Sequence, residues 1–188
     1  MANFTEQAII QSFLELLDEK PFHKITVKEI VDKCQINRNT FYYHFEDMYD
    51  LLEKVFEDEI ERLKITTISC DNWQDIVMNA TSFLIKSKKR ILHVFNSLGQ
   101  KELKNYLKQI FSISIVHYYN PTFQKYNVSE KDKRFLVKFY TDALTGIALE
   151  WIENGLEEDY VYSFIDLTDK WFANTLERQI KHYYDQTH

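Results

Sequence analysis

The sequence predicts an all-α protein, with an N-terminal three-helix domain of helix-turn-helix type followed by a C-terminal helical domain. Only three Gly and two Pro occur in 188 residues, so the chain has few residues that break helices. Hydrophobic residues make up 45% of the chain, which is enough for a buried core. Apolar side chains recur three and four positions apart along most of the chain, which is the spacing of one helix face.

The first helix is predicted from about Thr5 to Glu19. Pro21 ends it, because proline lacks the amide hydrogen that the interior of a helix requires. The side chains that share its apolar face, and that we expect to pack against the next two helices, are Ile9, Phe13, Leu16 and Leu17.

Residues 26–45 are predicted to form two short helices around a tight turn. Thr26 and Glu29 have the spacing of a capping box, in which each side chain accepts a hydrogen bond from the other's backbone amide. Asn37 is placed to cap the second helix through its side-chain oxygen. The residues expected to face the core are Val27, Ile30 and Val31 in the first helix, with Ile36, Phe41 and Phe45 in or beside the second.

The side chains left pointing outward from the second helix carry the chemistry of DNA recognition. They are Arg38, Asn39, Thr40, Tyr42, Tyr43 and His44. Arginine reads guanine through a forked pair of donors, and asparagine pairs with adenine in two places. Hydroxyl and imidazole groups are good phosphate partners, and the amides at a helix N-terminus form an anion site.

Roles follow from these chemistries. Arg38, Asn39 and Tyr43 are expected to read bases, and burial against the core is the competing interpretation for the tyrosines. The residues expected to bind phosphate or to form the two helix N-termini are Thr26, the amide of Val27, Lys28, Asn37, Thr40, Tyr42 and His44. For Lys28, a solvated helix face explains the residue equally well.

Residues 5–60 resemble the DNA-binding domain of the tetracycline-repressor (TetR) family of bacterial regulators. Thr40 through Phe45 match that family's Thr-Phe-Tyr-Tyr-His-Phe pattern, and Pro21–Val27 and Asp47–Leu52 resemble the segments on either side. The resemblance implies a ligand-responsive transcriptional repressor. It also implies that the partners are a palindromic double-stranded operator, a second copy of the chain and an unknown small-molecule effector.

The sequence departs from the family pattern in two places. Gln35 stands in the turn where a glycine is usual, and a left-handed backbone at a residue other than glycine costs on the order of 1 kcal/mol. Glu46, Asp47 and Met48 stand where the family often has a lysine that reaches a phosphate. We therefore expect one phosphate contact to be missing and negative charge to lie near the DNA.

Three regions are predicted: a helix-turn-helix domain at 1–46, a connecting helix and linker at 47–70, and a helical regulatory and dimerisation domain at 71–188. The best linker signal is Ser69-Cys70-Asp71-Asn72. Asn120-Pro121 is expected to stop one helix, and Gly155 is expected to cap another in the left-handed conformation. The helices predicted beyond the first domain are at about 47–65, 73–87, 91–98, 102–119, 130–154 and 160–184.

The last two helices, 130–154 and 160–184, carry more apolar surface than one packing partner needs. Gly146 lies within the first of them, where glycine lowers helix stability and allows another backbone to approach closely. The competing interpretation is an ordinary packed core, but for the two helices together we favour a homodimer interface. The side chains that form the stripes on the final helix are Val161, Phe164, Ile165, Leu167, Trp171, Phe172, Leu176, Ile180 and Tyr183.

Aromatic and polar residues of the C-terminal domain suit a small-molecule site, since such sites combine apolar walls with a few polar groups. Aromatic residues at helical spacing also form simple cores, so both interpretations stay open. The candidates are Trp73, Phe83, Phe95, Phe111, His117, Tyr118, Tyr140 and Trp151. We expect no bound cofactor, and the chemistry of the effector is not encoded in any recognisable pattern.

The formal net charge of −6 is unevenly distributed. Residues 1–64 hold eight Lys/Arg against fourteen Asp/Glu, yet residues 20–45 hold five basic side chains against two acidic ones. A small basic face on an acidic body indicates salt-sensitive binding of DNA in one orientation, and not indiscriminate coating.

Other classes of function find little support. The sequence shows no nucleophile–base pair, no metal-ligand spacing and no Gly-rich phosphate loop, so neither an enzyme nor a metal site is predicted. Cys34 and Cys70 are isolated. No apolar run approaches the roughly 18 residues that span a bilayer and no leader opens the chain, so we expect a cytoplasmic protein. The alternatives are a TetR-like coactivator that acts through a protein partner and a helical-bundle carrier or enzyme.

Overall fold

The computed structural model describes residues 2–68, 70, 72–97 and 99–187. Across these ranges the chain is helical and contains no strand, so the predicted all-α class is confirmed. A 3-10 turn, Phe22–Lys24, follows the first helix, and a π-helical turn, Asp169–Ala173, joins the last two. The helices are α1 Ala2–Glu19, α2 Val27–Lys33, α3 Arg38–His44, α4 Met48–Ile68, α5 Trp73–Lys86, α6 Lys88–Phe95, α7 Gln100–Lys125, α8 Glu130–Glu153, α9 Glu158–Thr168 and α10 Asn174–Thr187.

The chain divides into two compact units. The first unit consists of residues 1–60 and 87–106, and the second consists of residues 61–86 and 107–188. The first unit therefore contains α1 to α3, most of α4, all of α6 and the first turns of α7. The second unit contains α5, the rest of α7 and α8 to α10.

Helix α6 belongs to the first unit because polar contacts hold it against α1. The Arg90 guanidinium donates two hydrogen bonds to the Asp18 carboxylate, at 2.7 and 2.5 Å. The Nδ1 atom of His93 lies 2.7 Å from the carbonyl oxygen of Leu17. The predicted regulatory domain, 71–188, includes this helix, whereas the structure places it in the first unit. The pairing joins residues more than 70 positions apart, and no local pattern predicts such a contact.

The core of the first unit is built from the apolar faces that the sequence predicted, together with α6. Ile9, Phe13 and Phe41 are fully buried. A Cβ added at Gly99 would lie 2.8 Å from the Cγ1 atom of Val94 and 2.9 Å from the Cδ2 atom of Leu52, so a larger residue would force these side chains to shift. Glycine thus allows the loop after α6 to pack closely against α4.

The second unit has an aromatic core in which two buried indole N–H groups find hydrogen-bond acceptors. Trp73 is 2% exposed, and its indole N–H donates to the Thr168 hydroxyl at 3.1 Å. The indole N–H of Trp151, also buried, donates to the carbonyl oxygen of Glu157 at 2.9 Å. Burial raises the pKa of the Tyr119 hydroxyl well above its ordinary value. The first bond joins α5 to α9, and the second joins α8 to the residue that precedes α9.

The predicted end of α7 at Asn120-Pro121 is wrong, because the helix continues to Lys125 with Pro121 inside it. An interior proline removes one hydrogen bond and costs about 3 kcal/mol. Burial of Tyr119 and Phe123 on either side of the proline favours the continued helix. The helix instead ends at Lys125, and Asn127 just beyond it adopts a left-handed backbone with a φ of +50°.

Other helix boundaries also differ from the prediction, and α1 begins at Ala2, before the predicted Thr5. Helix α6 begins at Lys88, not Ile91, because the Ser87 carbonyl already accepts the Ile91 amide at 2.9 Å. The final helix, predicted as one piece, is divided into α9 and α10 by the π-helical turn. Parts of the prediction fall outside the described residues: Ser69 and Asp71 of the linker, Leu98, and the side chain of Phe172.

The predicted left-handed cap at Gly155 is confirmed. Its φ is +84°, a conformation that glycine adopts at little steric cost. The Gly155 amide donates to the carbonyl oxygen of Ile152, and the Leu156 amide donates to that of Trp151, both at 3.0 Å. These two bonds close α8 in the manner of a Schellman motif.

Replacing Pro121 with alanine should stabilise the protein. Alanine restores an amide donor within α7, so Pro121→Ala should raise the free energy of unfolding by about 1–3 kcal/mol in urea titrations. Pro21→Ala is the matched control, since Pro21 lies outside any helix with φ of −58°. At Pro21, alanine only increases the conformational freedom of the unfolded chain. Pro21→Ala should therefore lower the free energy of unfolding by about 0.4–1 kcal/mol. Equal effects of the two substitutions would contradict this account of α7.

Candidate nucleic-acid interface

The N-terminus of α2 is fixed by the predicted capping box, which is confirmed. The Thr26 hydroxyl accepts from the Glu29 amide at 3.3 Å, and the Glu29 carboxylate accepts from the Thr26 amide at 3.0 Å. Lys20 also pairs with Glu29, and the hydrogen bonds from Lys20 and then Thr26 lower the pKa of the Glu29 carboxyl. Val27 is the first residue of the helix, so its amide has no partner within the helix.

The turn between α2 and α3 has the shape that the family resemblance implies, in spite of Gln35. The φ of Gln35 is +55°, in the left-handed region that favours glycine. The Ile36 amide donates to the carbonyl oxygen of Val31 at 3.0 Å, which closes the turn. The backbone geometry is therefore kept, and the strain predicted for a glutamine at this position is present.

Helix α3 is capped and anchored as predicted. The Asn37 side-chain oxygen accepts from the Thr40 amide at 2.9 Å. Phe41 is 0% exposed and Phe45 is 4% exposed, so both rings point into the core of the first unit. The opposite face of α3 is consequently directed to solvent.

The solvent face of α3 presents donors and aromatic rings. Tyr42 is 49% exposed and Tyr43 is 82% exposed, which excludes burial as the explanation for Tyr43. The Arg38 guanidinium lies 5.9 Å from the centre of the Tyr42 ring, at cation–π distance. Asn39 is also exposed, whereas Thr40 is half-buried.

The expectation that His44 points outward is wrong. Its side chain is 8% exposed, and Nδ1 lies 3.9 Å from a carboxylate oxygen of Glu6 on α1. The ring contacts those of Tyr43 and Phe45, with centroid distances of 5.2 and 6.3 Å. His44 is three residues after Phe41, so helical geometry turns its side chain toward the same, inward side.

The acidic residues after α3 form the cap of the next helix. The Asp47 carboxylate accepts from the amides of Tyr49 and Asp50, at 2.7 and 2.9 Å. The Asp50 carboxylate in turn accepts from the Glu46 amide at 2.8 Å. The Asp-x-x-Asp spacing ahead of an apolar stripe is the sequence signal for this arrangement, which sequence reasoning missed.

Ion pairs reduce the number of basic side chains available to a phosphate backbone. Lys33 lies 3.1 Å from Glu15, and Lys20 is paired with Glu29. Within the part of the chain that the structure describes, the three remaining basic side chains of residues 20–45 have no carboxylate within 4 Å and are exposed. They are Lys24, Lys28 and Arg38.

The candidate ligand residues do not form one cluster. Phe95 belongs to the first unit and the other seven belong to the second. Of those seven, Trp73, Phe111 and Trp151 are buried in the core, and the rest are half-buried. The Nε2 atom of His117 lies 3.2 Å from the carbonyl oxygen of Cys70. Their assignment to a ligand site stays a prediction.

A groove between α7 and α8, with a volume of about 780 Å³, is lined by none of these candidates. Its walls combine apolar side chains such as Val116 and Val137 with lysine and arginine side chains. An adjoining hollow of about 470 Å³ shares part of the α7 wall and includes His117. The charged residues on α8 are spaced three and four apart, which is the sequence signal that could have indicated this surface.

Part of the apolar surface predicted for a dimer is exposed in the single chain. On α8, Phe135 is 66% exposed and Phe139 is 57% exposed, and nothing lies within 4 Å of a Cβ added at Gly146. The apolar side chains predicted on the last helix are divided between the core of the single chain and its exposed surface. Val161, Phe164, Ile165, Leu176 and Ile180 are buried within the chain, whereas Leu167, Trp171 and Tyr183 are exposed.

The fold and the exposed α3 define a helix-turn-helix transcriptional regulator. Residues 9–55 match the family model "Bacterial regulatory proteins, tetR family", and residues 71–162 match the model "Transcriptional regulator C-terminal region". The chain belongs to the TetR family. These families are of transcriptional regulators and not of enzymes.

Individual relatives support the same family. The chain is 24% identical over 179 residues to the HTH-type dhaKLM operon transcriptional activator DhaS of Lactococcus lactis subsp. lactis (strain IL1403), covering 94% of this chain and 91% of that one. It is 33% identical over 63 residues to the uncharacterized HTH-type transcriptional regulator YxbF of Bacillus subtilis (strain 168), covering 34% of this chain and 17% of that one.

Solved structures show the same fold. The dihydroxyacetone kinase operon activator DhaS has a TM-score of 0.64 at 22% identity, covering 88% of this chain and 96% of that one. A tetR-family transcriptional regulator from Streptomyces coelicolor has a TM-score of 0.60 at 12% identity, covering 96% of this chain and 89% of that one.

Two further findings concern the described residues alone. None of their helices is long and apolar enough to cross a membrane. In the same part of the chain, no group of three or more His, Cys, Asp or Glu side chains is arranged to hold a metal ion.

Replacing Gln35 with glycine should relieve strain in the turn. Glycine tolerates a φ of +55°, so Gln35→Gly should raise the free energy of unfolding by about 1 kcal/mol in urea titrations. Gln35→Ala removes the same side chain but keeps the Cβ atom, so it should give no such gain. A stabilisation by alanine equal to that by glycine would show that the glutamine side chain, and not the backbone, is the source of the strain.

Proposed function

We propose that the chain is a homodimeric, ligand-responsive transcriptional regulator that reads a palindromic operator through α3. The observation that supports this proposal best is the solvent face of α3. It presents Arg38, Asn39 and Tyr43 on a helix that Phe41 and Phe45 anchor to the core. A short, rigid helix with exposed donors matches the shape and chemistry of a DNA major groove.

Base reading is assigned to Arg38, Asn39 and Tyr43. The cation–π contact between Arg38 and Tyr42 holds the guanidinium near one orientation, so less rotamer freedom is lost when it meets a guanine. Asn39 is free to pair with an adenine edge because the capping role is taken by Asn37.

Phosphate binding is assigned to groups around the two helix N-termini. The amide of Val27 at the start of α2 offers a donor that does not depend on a side chain. Lys28 adds an unpaired charge, and the Thr40 and Tyr42 hydroxyls complete the set. His44 is left out because its side chain is covered, and its contact with Glu6 gives it a role in positioning α3 against α1.

Dimerisation is assigned to the exposed apolar face of α8 together with the exposed side chains of the α9–α10 region. Phe135 and Phe139 form a stacked pair on α8, with centroids 6.1 Å apart, and leave the surface beside Gly146 open. Exposed aromatic surface of this kind commonly marks a protein–protein interface. A two-fold axis through it would carry two copies of α3 and so match the symmetry of a palindromic operator.

The sign of regulation has two candidates. The family resemblance favours a repressor, whereas the relative DhaS is named as an activator and aligns over most of both chains. Activation through a protein partner is the second candidate function. The acidic residues after α3 do not favour it, because Asp47 and Asp50 are used to cap α4. In vitro transcription from the promoter beside the bound operator would separate repression from activation.

Substitutions in α3 should separate base reading from phosphate binding. In anisotropy titrations against DNA flanking its own gene, Arg38→Ala should relax preference at one base pair by about 1–3 kcal/mol. Tyr42→Phe should weaken binding modestly and equally for matched and mismatched sites, as loss of a phosphate contact does.

The matched control for lost positive charge is Lys104→Ala, since Lys104 is an exposed residue of α7. It should leave both affinity and sequence preference unchanged. If Arg38→Ala weakened matched and mismatched sites by the same factor, the base-reading role of Arg38 would be refuted. If no DNA fragment survived competitor DNA, operator binding itself would be in doubt.

A charge placed on the exposed face of α8 should disrupt the dimer. Phe139→Lys should lower the molecular mass in sedimentation equilibrium to that of one chain, since a lysine cannot be buried there without a partner. Phe4→Lys is the matched control, because Phe4 is a phenylalanine that is 84% exposed on α1. A dimer that persists in Phe139→Lys would place the interface elsewhere.

A further inference from the structure

The groove between α7 and α8 has one apolar side and one cationic rim. Its volume of about 780 Å³ lies within the range of small-molecule sites, roughly 300–1,000 Å³. Ile113 and Val116 on α7 face Val137 on α8 across it. Val116 is 45% exposed, so this apolar surface is accessible in the chain.

Basic side chains outnumber acidic ones around the groove. Five of the lining residues are Lys or Arg, and two are Asp or Glu. Asp142 forms salt bridges with both Lys108 and Lys138, at 2.7 and 2.5 Å. Its single negative charge therefore neutralises only one of these two lysine charges. Together these lysines lower the pKa of Asp142 to about 2, which reflects the positive surroundings.

Within the part of the chain that the structure describes, the Arg134 guanidinium lacks a close ion-pair partner, although its charge adds at longer range to the effect of Lys133 in lowering the pKa of Glu130. Among the described residues, no carboxylate lies within 4 Å of its guanidinium, whereas Lys133 beside it is paired with Glu130 at 2.8 Å. A guanidinium binds carboxylate, phosphate or sulfonate groups through two parallel hydrogen bonds. The groove therefore has an unused anion receptor at its rim.

Thr141 provides a second, independent indication of a ligand. The residue is 7% exposed and lines the groove, yet its hydroxyl oxygen has no hydrogen-bond partner. A buried polar group left in this state costs about 1–3 kcal/mol. A polar atom of a bound molecule would satisfy it.

We propose that this groove binds a small amphiphilic organic anion, whose acidic group pairs with Arg134, whose apolar body packs against Val116 and Val137, and whose polar atom meets the Thr141 hydroxyl. The proposal gives a chemical class to the effector and in that respect rests on the proposed ligand-responsive function. It moves the site away from the aromatic residues that the sequence indicated.

The test uses two probes that differ by one charged group. 8-Anilinonaphthalene-1-sulfonate is an amphiphilic anion, and N-phenyl-1-naphthylamine is the same aromatic body without the sulfonate. Isothermal titration should show one site per chain for the sulfonate and binding at least about tenfold weaker for the neutral amine, since a charge-assisted hydrogen-bonded pair is lost. Equal affinities would overturn the proposal.

Three variants locate the site. Arg134→Gln should weaken sulfonate binding by about three- to tenfold and leave the neutral probe unaffected. Lys131→Gln, on the same helix but outside the groove, is the charge-matched control and should change neither. Thr141→Val keeps the shape and removes the unpartnered hydroxyl, so it should fold well. If Thr141→Val binds the sulfonate as tightly as the unchanged protein does, Thr141 does not contact the bound anion.

Failure of this proposal can be distinguished from failure of the proposed function. Probe binding is measured without DNA, operator binding is measured without probe, and the operator titration is then repeated with the sulfonate present. Sulfonate binding that requires Arg134 but does not change operator affinity would uphold the site and refute ligand-responsive regulation. Equal loss in Arg134→Gln and Lys131→Gln would refute the site and leave operator binding untouched.

Discussion

Burial of the Phe41 and Phe45 rings is the interaction on which the DNA-reading surface depends. With both rings in the core, the orientation of α3 about its own axis is fixed, and so is the identity of the side chains that reach solvent. Arg38, Asn39 and Tyr43 are exposed as a direct consequence. The caps at Thr26 and Asn37 add to this by fixing where α2 and α3 begin, which places their N-terminal amides at defined points.

The electrostatics of the first unit are organised more by pairing than by net charge. Two of the five basic side chains in residues 20–45 are paired with carboxylates, and Asp47 and Asp50 are engaged with backbone amides. The acidic charge near α3 therefore has a structural role in starting α4. Attraction of the three unpaired cations to phosphates does not depend on base sequence, so in the proposed function discrimination between DNA sites comes from specific contacts.

Helix α8 serves several surfaces within the second unit. One side buries Leu144, Ala148 and Ile152 in the core, a second side exposes the Phe135–Phe139 pair, and a third forms a wall of the cationic groove. A single helix can do this because residues three and four apart share a face and adjacent residues do not. Small changes in α8 would for this reason affect the proposed dimer surface and the proposed ligand surface together.

The sequence by itself determined the features that depend on residues a few positions apart. The all-α class, the capping box, the Asn37 cap, the inward phenylalanines and the left-handed Gly155 are all local, because one helical turn brings their partners together. The position of Gln35 in the turn between the two helices likewise predicts its strained backbone.

Only the tertiary structure decided features whose partners are distant in the chain. Helix α6 joins the first unit through Arg90 and Asp18, and His44 is covered by its approach to Glu6. Pro121 stays within α7 although its local preference is to end a helix, because burial of the aromatic residues around it outweighs the lost hydrogen bond. The groove required α7 and α8 to be placed side by side, and the charges that line it belong to neither helix alone.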